Sequence, residues 1–108
     1  VIVWHVDITS QAESDISEIY SYIAFTLEEP NIAWKQTMRI RNGINTLCSM
    51  PDRFPIIDDE PWKSLGVRRL SIDNYIAFYV LGNESDTVRV FRVLYARRDF
   101  SSITMYGD

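Results

Sequence analysis

Two hydrophobic periods divide this chain. Up to Leu47 the apolar residues recur mostly every three or four positions, whereas from Gly66 onward they alternate or run together. Residues 1–7 are an exception at the start: the run Val-Ile-Val-Trp-His-Val-Asp is short and β-branched, which predicts a strand. Thr9 or Ser10 then offers an N-cap oxygen, and Glu13 stands three residues beyond Ser10, as a capping box requires. Ala12, Ile16, Ile19, Tyr20 and Ile23 follow at helical spacing, with Glu13, Asp15, Ser17 and Glu18 on the other face. The first helix is therefore expected over 10–28, broken by Pro30 and Asn31. A second amphipathic stretch begins at Asn31. Its stripe is Ala33, Thr37, Ile40, Ile44 and Leu47, its outer face carries Lys35, Arg39, Arg41 and Asn42, and Met50-Pro51 ends it. Gly43 inside it costs about 1 kcal/mol against alanine and leaves room for close helix contact. Two such helices joined by a short turn predict an antiparallel hairpin.

Residues 51–65 hold Pro51, Pro55 and Pro61 and the acidic triplet Asp58-Asp59-Glu60, and read as a solvated connecting loop. Strands are then expected over 67–72, 75–81 and 87–95, separated by the tight-turn pair Asp73-Asn74 and by the hairpin loop 82–86. The stretch 75–81 is almost wholly apolar, as a central strand covered on both faces should be. A short last helix is expected over 99–106, with Asp99 suited to its N-terminus. The order is β-α-α-β-β-β(-α). It predicts an α+β fold, one domain over 1–108, with the N-terminal helical hairpin on one face of a small, mostly antiparallel sheet. The other sheet face then needs a cover, either the tail or a partner protein.

Charge narrows the partners. The chain carries 11 Lys and Arg against 15 Asp and Glu, a net charge of −4, which opposes non-specific binding to a polyanion. The arginines are clustered, however, at Arg39–Arg41, Arg68–Arg69 and Arg89–Arg98, so a local positive face remains open. No apolar stretch reaches the length of a membrane span. The lone Cys48 fits a reducing cytoplasm, and one Cys with one His, His5, makes no credible metal site. No metal and no cofactor are expected.

Five segments carry a resemblance to a known family. They are Ala12-Glu13-Ser14-Asp15-Ile16-Ser17-Glu18-Ile19-Tyr20-Ser21-Tyr22-Ile23-Ala24, Met50-Pro51-Asp52-Arg53-Phe54-Pro55, Arg68-Arg69-Leu70, Asn74-Tyr75-Ile76-Ala77-Phe78-Tyr79, and Arg92-Val93-Leu94-Tyr95-Ala96-Arg97-Arg98-Asp99-Phe100. In this order and at these spacings the chain resembles the RelE/ParE superfamily of bacterial toxins from type II toxin–antitoxin modules. The resemblance implies a cytoplasmic toxin neutralised by a cognate antitoxin in a hetero-oligomer. It also implies one of two targets: DNA gyrase, in a ParE-like toxin, or messenger RNA on the ribosome, in a RelE-like endoribonuclease that needs no metal.

Cleavage by a 2′-oxygen needs a base, cationic stabilisation of the phosphorane and an acid. If the chain is a nuclease, Arg69, Arg92, Tyr95 and Arg98 are the candidates. Several features depart from the endonuclease pattern that the resemblance brings in. Ile76 follows Tyr75 where that branch has an arginine, Ser101-Ser102-Ile103-Thr104 stands where a tyrosine is common, and no C-terminal histidine is present. Together with the net acidity they favour the ParE-like branch. As contacts for a target or an antitoxin the candidates are Arg68, Arg69, Tyr95, Arg97, Arg98 and Phe100. Each has a plainer reading. Arg68 and Arg69 are strand neighbours and point to opposite faces, so one of them is expected in a structural ion pair. Arg92 is expected to pair with Asp73 or Glu60 if it is buried. Tyr95 reads equally as an amphipathic ring at the sheet edge, Trp62 as an interface residue or as a cover for the sheet, and Arg97 and Arg98 as partners of Asp99 or the acidic loop.

Overall fold

The computed structural model describes residues 2–82 and 84–97. Strand β1 (His5–Ile8) leads into helix α1 (Ser10–Ser21), which widens into a π-helical turn (Tyr22–Thr26). Helix α2 (Pro30–Asn45) follows, with 3-10 turns at Thr46–Cys48 and Pro51–Arg53, then β2 (Arg68–Ile72), β3 (Tyr75–Gly82) and β4 (Thr87–Tyr95). The sheet order is β1-β4-β3-β2. β2, β3 and β4 form the expected antiparallel meander, and β1 adds to β4 in parallel. The parallel pairing needs a long connection, and α1, α2, β2 and β3 all lie between the two strands. The expected fold is the one observed. The expected last helix over 99–106, with Asp99, lies outside the described residues.

Thr9, not Ser10, caps α1, because the Ala12 N–H donates to Thr9 Oγ1 at 3.1 Å. The capping box is not formed. Glu13 instead accepts from Arg41 Nη2 at 2.7 Å and Nη1 at 3.2 Å, which ties α1 to α2. The guanidinium holds the Glu13 carboxyl below its ordinary pKa. Pro30 occupies the first position of α2, where its missing N–H costs nothing. Gly43 gives α2 its close approach to the sheet rather than to the other helix: a Cβ built there would lie 2.8 Å from Ile72 Cγ1.

The core is two-layered on each side of the sheet. On the helix side Ala12, Ile16, Ile40, Ile44 and Leu47 pack against Leu70, Ala77, Tyr79, Val88, Val90 and Val93. Buried Tyr79 donates its hydroxyl to the Pro51 carbonyl at 2.6 Å, and burial pushes its pKa up to about 12. The far face corrects an expectation. It is not left bare for a tail or a partner, because the segment after Pro55 folds back over it. Trp62 stacks on Phe78 with ring centroids 5.7 Å apart, and with Ile57 it covers Val67, Ile76, Phe91 and Leu94. The Ile57 N–H donates to the Val67 carbonyl and the Val67 N–H to the Trp62 carbonyl, fixing that cover in place. The expected solvated connector is thus a structural layer, and the burial of β3 on both faces is met from within the chain.

A groove between the helical hairpin and the end of the sheet

β1 stops at Ile8, but β4 runs on to Tyr95. Beyond Val90 the outer edge of β4 therefore has no strand partner, and a buried N–H must find one elsewhere. The start of α1 supplies it. The Thr9 N–H donates to the Val90 carbonyl at 2.9 Å, and the Val93 N–H donates to Asp15 Oδ2 at 2.9 Å. Between these two contacts Phe91 is an extra residue: Tyr79 pairs with Val90 and Phe78 with Arg92, so β4 is bulged there. Arg92 turns to the same carboxylate. Its Nε donates to Asp15 Oδ2 at 2.9 Å and its Nη2 to Oδ1 at 3.2 Å, while Gln11 Nε2 reaches Oδ1 at 3.1 Å. Asp15 is 4 % exposed. Arg92 was expected on Asp73 or Glu60, but Asp73 binds Arg39 Nη2 at 2.6 Å, and Glu60 accepts from Ser64 Oγ at 2.8 Å.

Past this clamp the π-helical turn widens α1 just where it leaves the sheet, and a groove of about 620 Å³ opens. Its helical wall is Glu18, Ile19, Tyr22, Ile23, Leu27 and Ile32; its sheet wall is Tyr75, Val93, Leu94 and Tyr95, with Asp15 between them. Tyr22, Leu27, Ile32 and Tyr95 are large and about half exposed, which a monomer rarely tolerates in one patch without a purpose. Tyr75 and Tyr95 meet edge to face at 5.8 Å. Burial raises the Tyr75 phenol above its ordinary pKa, and the Tyr95 and Tyr22 phenols raise it further; all three tyrosines line the groove. Among the described residues the lining contains two carboxylates and neither a lysine nor an arginine.

Among the described residues the sequence candidates do not gather into one site. Arg68 faces the helix side, where its Nη1 donates to the carbonyls of Phe54 and Asp52. The plainer reading expected an ion pair for one of the two arginines, but Arg68's partners are carbonyls rather than an acid. Arg69 pairs in register with Phe78 and so stands on the opposite, Trp62-covered face, where it is exposed. Arg92 is held by Asp15. Tyr95 lies at the mouth of the groove and Arg97 is exposed just beyond. Arg98 and Phe100 lie outside the described residues. His5 bonds Asp7 at 2.8 Å at the exposed end of β1. Among the described residues no three His, Cys, Asp or Glu side chains are placed to hold a metal ion. The sequence reading missed Asp15, Glu18, Leu27, Ile32 and Tyr75. Its one available signal was that Leu27 and Ile32 are large apolar residues lying off both helical stripes.

Comparison with known proteins bears on what this groove belongs to. The family model of the ParE toxin of type II toxin–antitoxin systems, parDE, matches residues 6–100. The chain belongs to this toxin family. Solved structures of the wider RelE/ParE superfamily share its fold. A chain from the chromosomal ParDE toxin–antitoxin system of P. aeruginosa is 19% identical, with a TM-score of 0.73 over 88% of this chain and 98% of that one. A chain of the toxin–antitoxin complex RelBE2 of Mycobacterium tuberculosis is 19% identical, with a TM-score of 0.62 over 88% and 93%. A chain of the archaeal RelE–RelB complex of Pyrococcus horikoshii is 15% identical, with a TM-score of 0.55 over 91% and 100%. No curated protein matches the sequence. This ParE-family toxin therefore shares its sheet and hairpin with both branches, and its own side chains must separate them.

Proposed function

We propose that this toxin is a ParE-like inhibitor of DNA gyrase, held inactive in the cytoplasm by a cognate antitoxin seated in the groove between the helical hairpin and β3–β4. The observation that carries the choice of target is the dispersal of the cations. A ribonuclease must bring a base, an acid and cationic charge to one phosphate. Here Arg92 is clamped by Asp15, Arg69 is on one sheet face, and Tyr95 is on the other beside Tyr75. Two of the similar structures are complexes, RelBE2 and RelE–RelB, which supports an antitoxin as this toxin's partner. The apolar walls, and a lining with no basic side chain among the described residues, fit a protein better than RNA.

The exposed Arg69 and Arg97 are the observation that favours the second reading, a ribosome-dependent messenger-RNA endoribonuclease acting without a metal. A supercoiling assay with purified gyrase tests the first. Relaxed plasmid is expected to stay relaxed when the toxin is present, and to become supercoiled again once the antitoxin is added. Full supercoiling at saturating toxin would remove gyrase as the target.

A further inference from the structure

We propose that the occupant of the groove inserts a cationic side chain, arginine or lysine, between Glu18 and the rings of Tyr22, Tyr75 and Tyr95. This rests on the reading of the groove as a protein-docking site, and it specifies the chemistry of the partner: an amphipathic segment whose apolar positions face Leu27 and Ile32 and which carries one positive charge among them.

Charge complementarity specifies this occupant. Of the two carboxylates in the lining, Asp15 is already engaged by Arg92, Gln11 and the Val93 N–H. Glu18 has no hydrogen-bond or ion-pair partner among the described residues and is exposed. It stands one helical turn before Tyr22, so the two side chains share a face of α1. The faces of aromatic rings are electron-rich and attract a cation, most strongly when water is excluded. Three phenol rings and one unengaged carboxylate thus line an apolar groove that holds no cation among the described residues. A phosphate, a nucleic acid or an acidic peptide would meet repulsion there. A guanidinium would meet a charge-assisted bond at one end and ring faces along its length.

Benzamidinium and its neutral isostere benzamide are the probes, titrated into the full chain and followed by NMR. Benzamidinium is expected to bind about fivefold more tightly than benzamide, as a cation–π and ion-pair contribution at a half-exposed site implies. It should shift the resonances of Glu18, Tyr22, Tyr75 and Tyr95. Glu18→Gln, at an exposed position, should reduce most of that preference without loss of folding. Equal affinity for the two probes in the wild-type chain, or shifts confined to another region, would overturn the proposal. So would Overhauser contacts from Phe100 or Ile103 to the Tyr75 and Tyr95 rings, which would assign the groove to this chain's own tail. Concentration-dependent broadening of the groove resonances would assign it to a second copy and overturn it likewise. The docking reading fails separately: antitoxin affinity unchanged by Leu27→Lys would remove the antitoxin from the groove, whatever benzamidinium does.

Discussion

Asp15→Ala is expected to destabilise the fold by about 3–5 kcal/mol, the usual consequence of removing one partner of a buried ion pair. The Asp15 side chain is 4% exposed and that of Arg92 is 13% exposed, so water offers little replacement for the lost carboxylate. The damage is double, because the Val93 N–H also loses its acceptor, a penalty of about 1–3 kcal/mol on its own. Against a total stability of about 5–15 kcal/mol this is a large share. Urea unfolding followed by circular dichroism measures it as a fall in the midpoint at unchanged slope. Asp15→Asn keeps an acceptor for the Val93 N–H and should cost less than alanine. A loss under about 1 kcal/mol for Asp15→Ala would mean that the clamp is not the structural element described here. Arg92 would then be free for other work, and the case against a nuclease would weaken.

Leu27→Lys is expected to weaken capture by the antitoxin about 100-fold while leaving the fold intact. The position explains both halves. Leu27 is 51% exposed and follows the π-helical turn, so its replacement costs little in the free toxin. In the complex the same side chain would lose its apolar contact and set an ammonium against an occupant that is itself cationic. A central anchor lost from an interface removes about 2–4 kcal/mol, and about 2.8 kcal/mol is two decades of affinity. Calorimetric titration of the antitoxin into wild type and variant reads the ratio. Affinities within about threefold of each other would place the antitoxin elsewhere on the molecule.

Most of the fold was legible because most of it is local. The stripe Ala33, Thr37, Ile40 and Ile44 fixes a helix, and the alternating burial of 67–72 fixes a strand. Parity alone separated Arg68 from Arg69 correctly. What escaped was set by distance in the chain. Asp15 looked like part of a solvated helix face; its partner Arg92 lies 77 residues on and is reached only because β1 ends early and exposes the edge of β4. Trp62 is surrounded by prolines and acids, and nothing local shows that it folds back onto Phe78. The groove itself is assembled from the end of one helix, the start of the next and the ends of two strands. Most of those pieces fall within the segments that carry the family resemblance, but only Leu27 and Ile32, large apolar residues off both helical stripes, hinted at a groove.

The central proposal is that this toxin does not cut RNA, because among the described residues Arg92 is held by Asp15 while Arg69 and Tyr95 stand on opposite sheet faces. Mapping messenger-RNA ends on translating ribosomes tests it most directly. At a toxin concentration that abolishes gyrase supercoiling, the account predicts intact messages with no toxin-dependent ends. Codon-specific cuts that require the ribosome, and that vanish with Arg69→Ala or Tyr95→Phe, would contradict it.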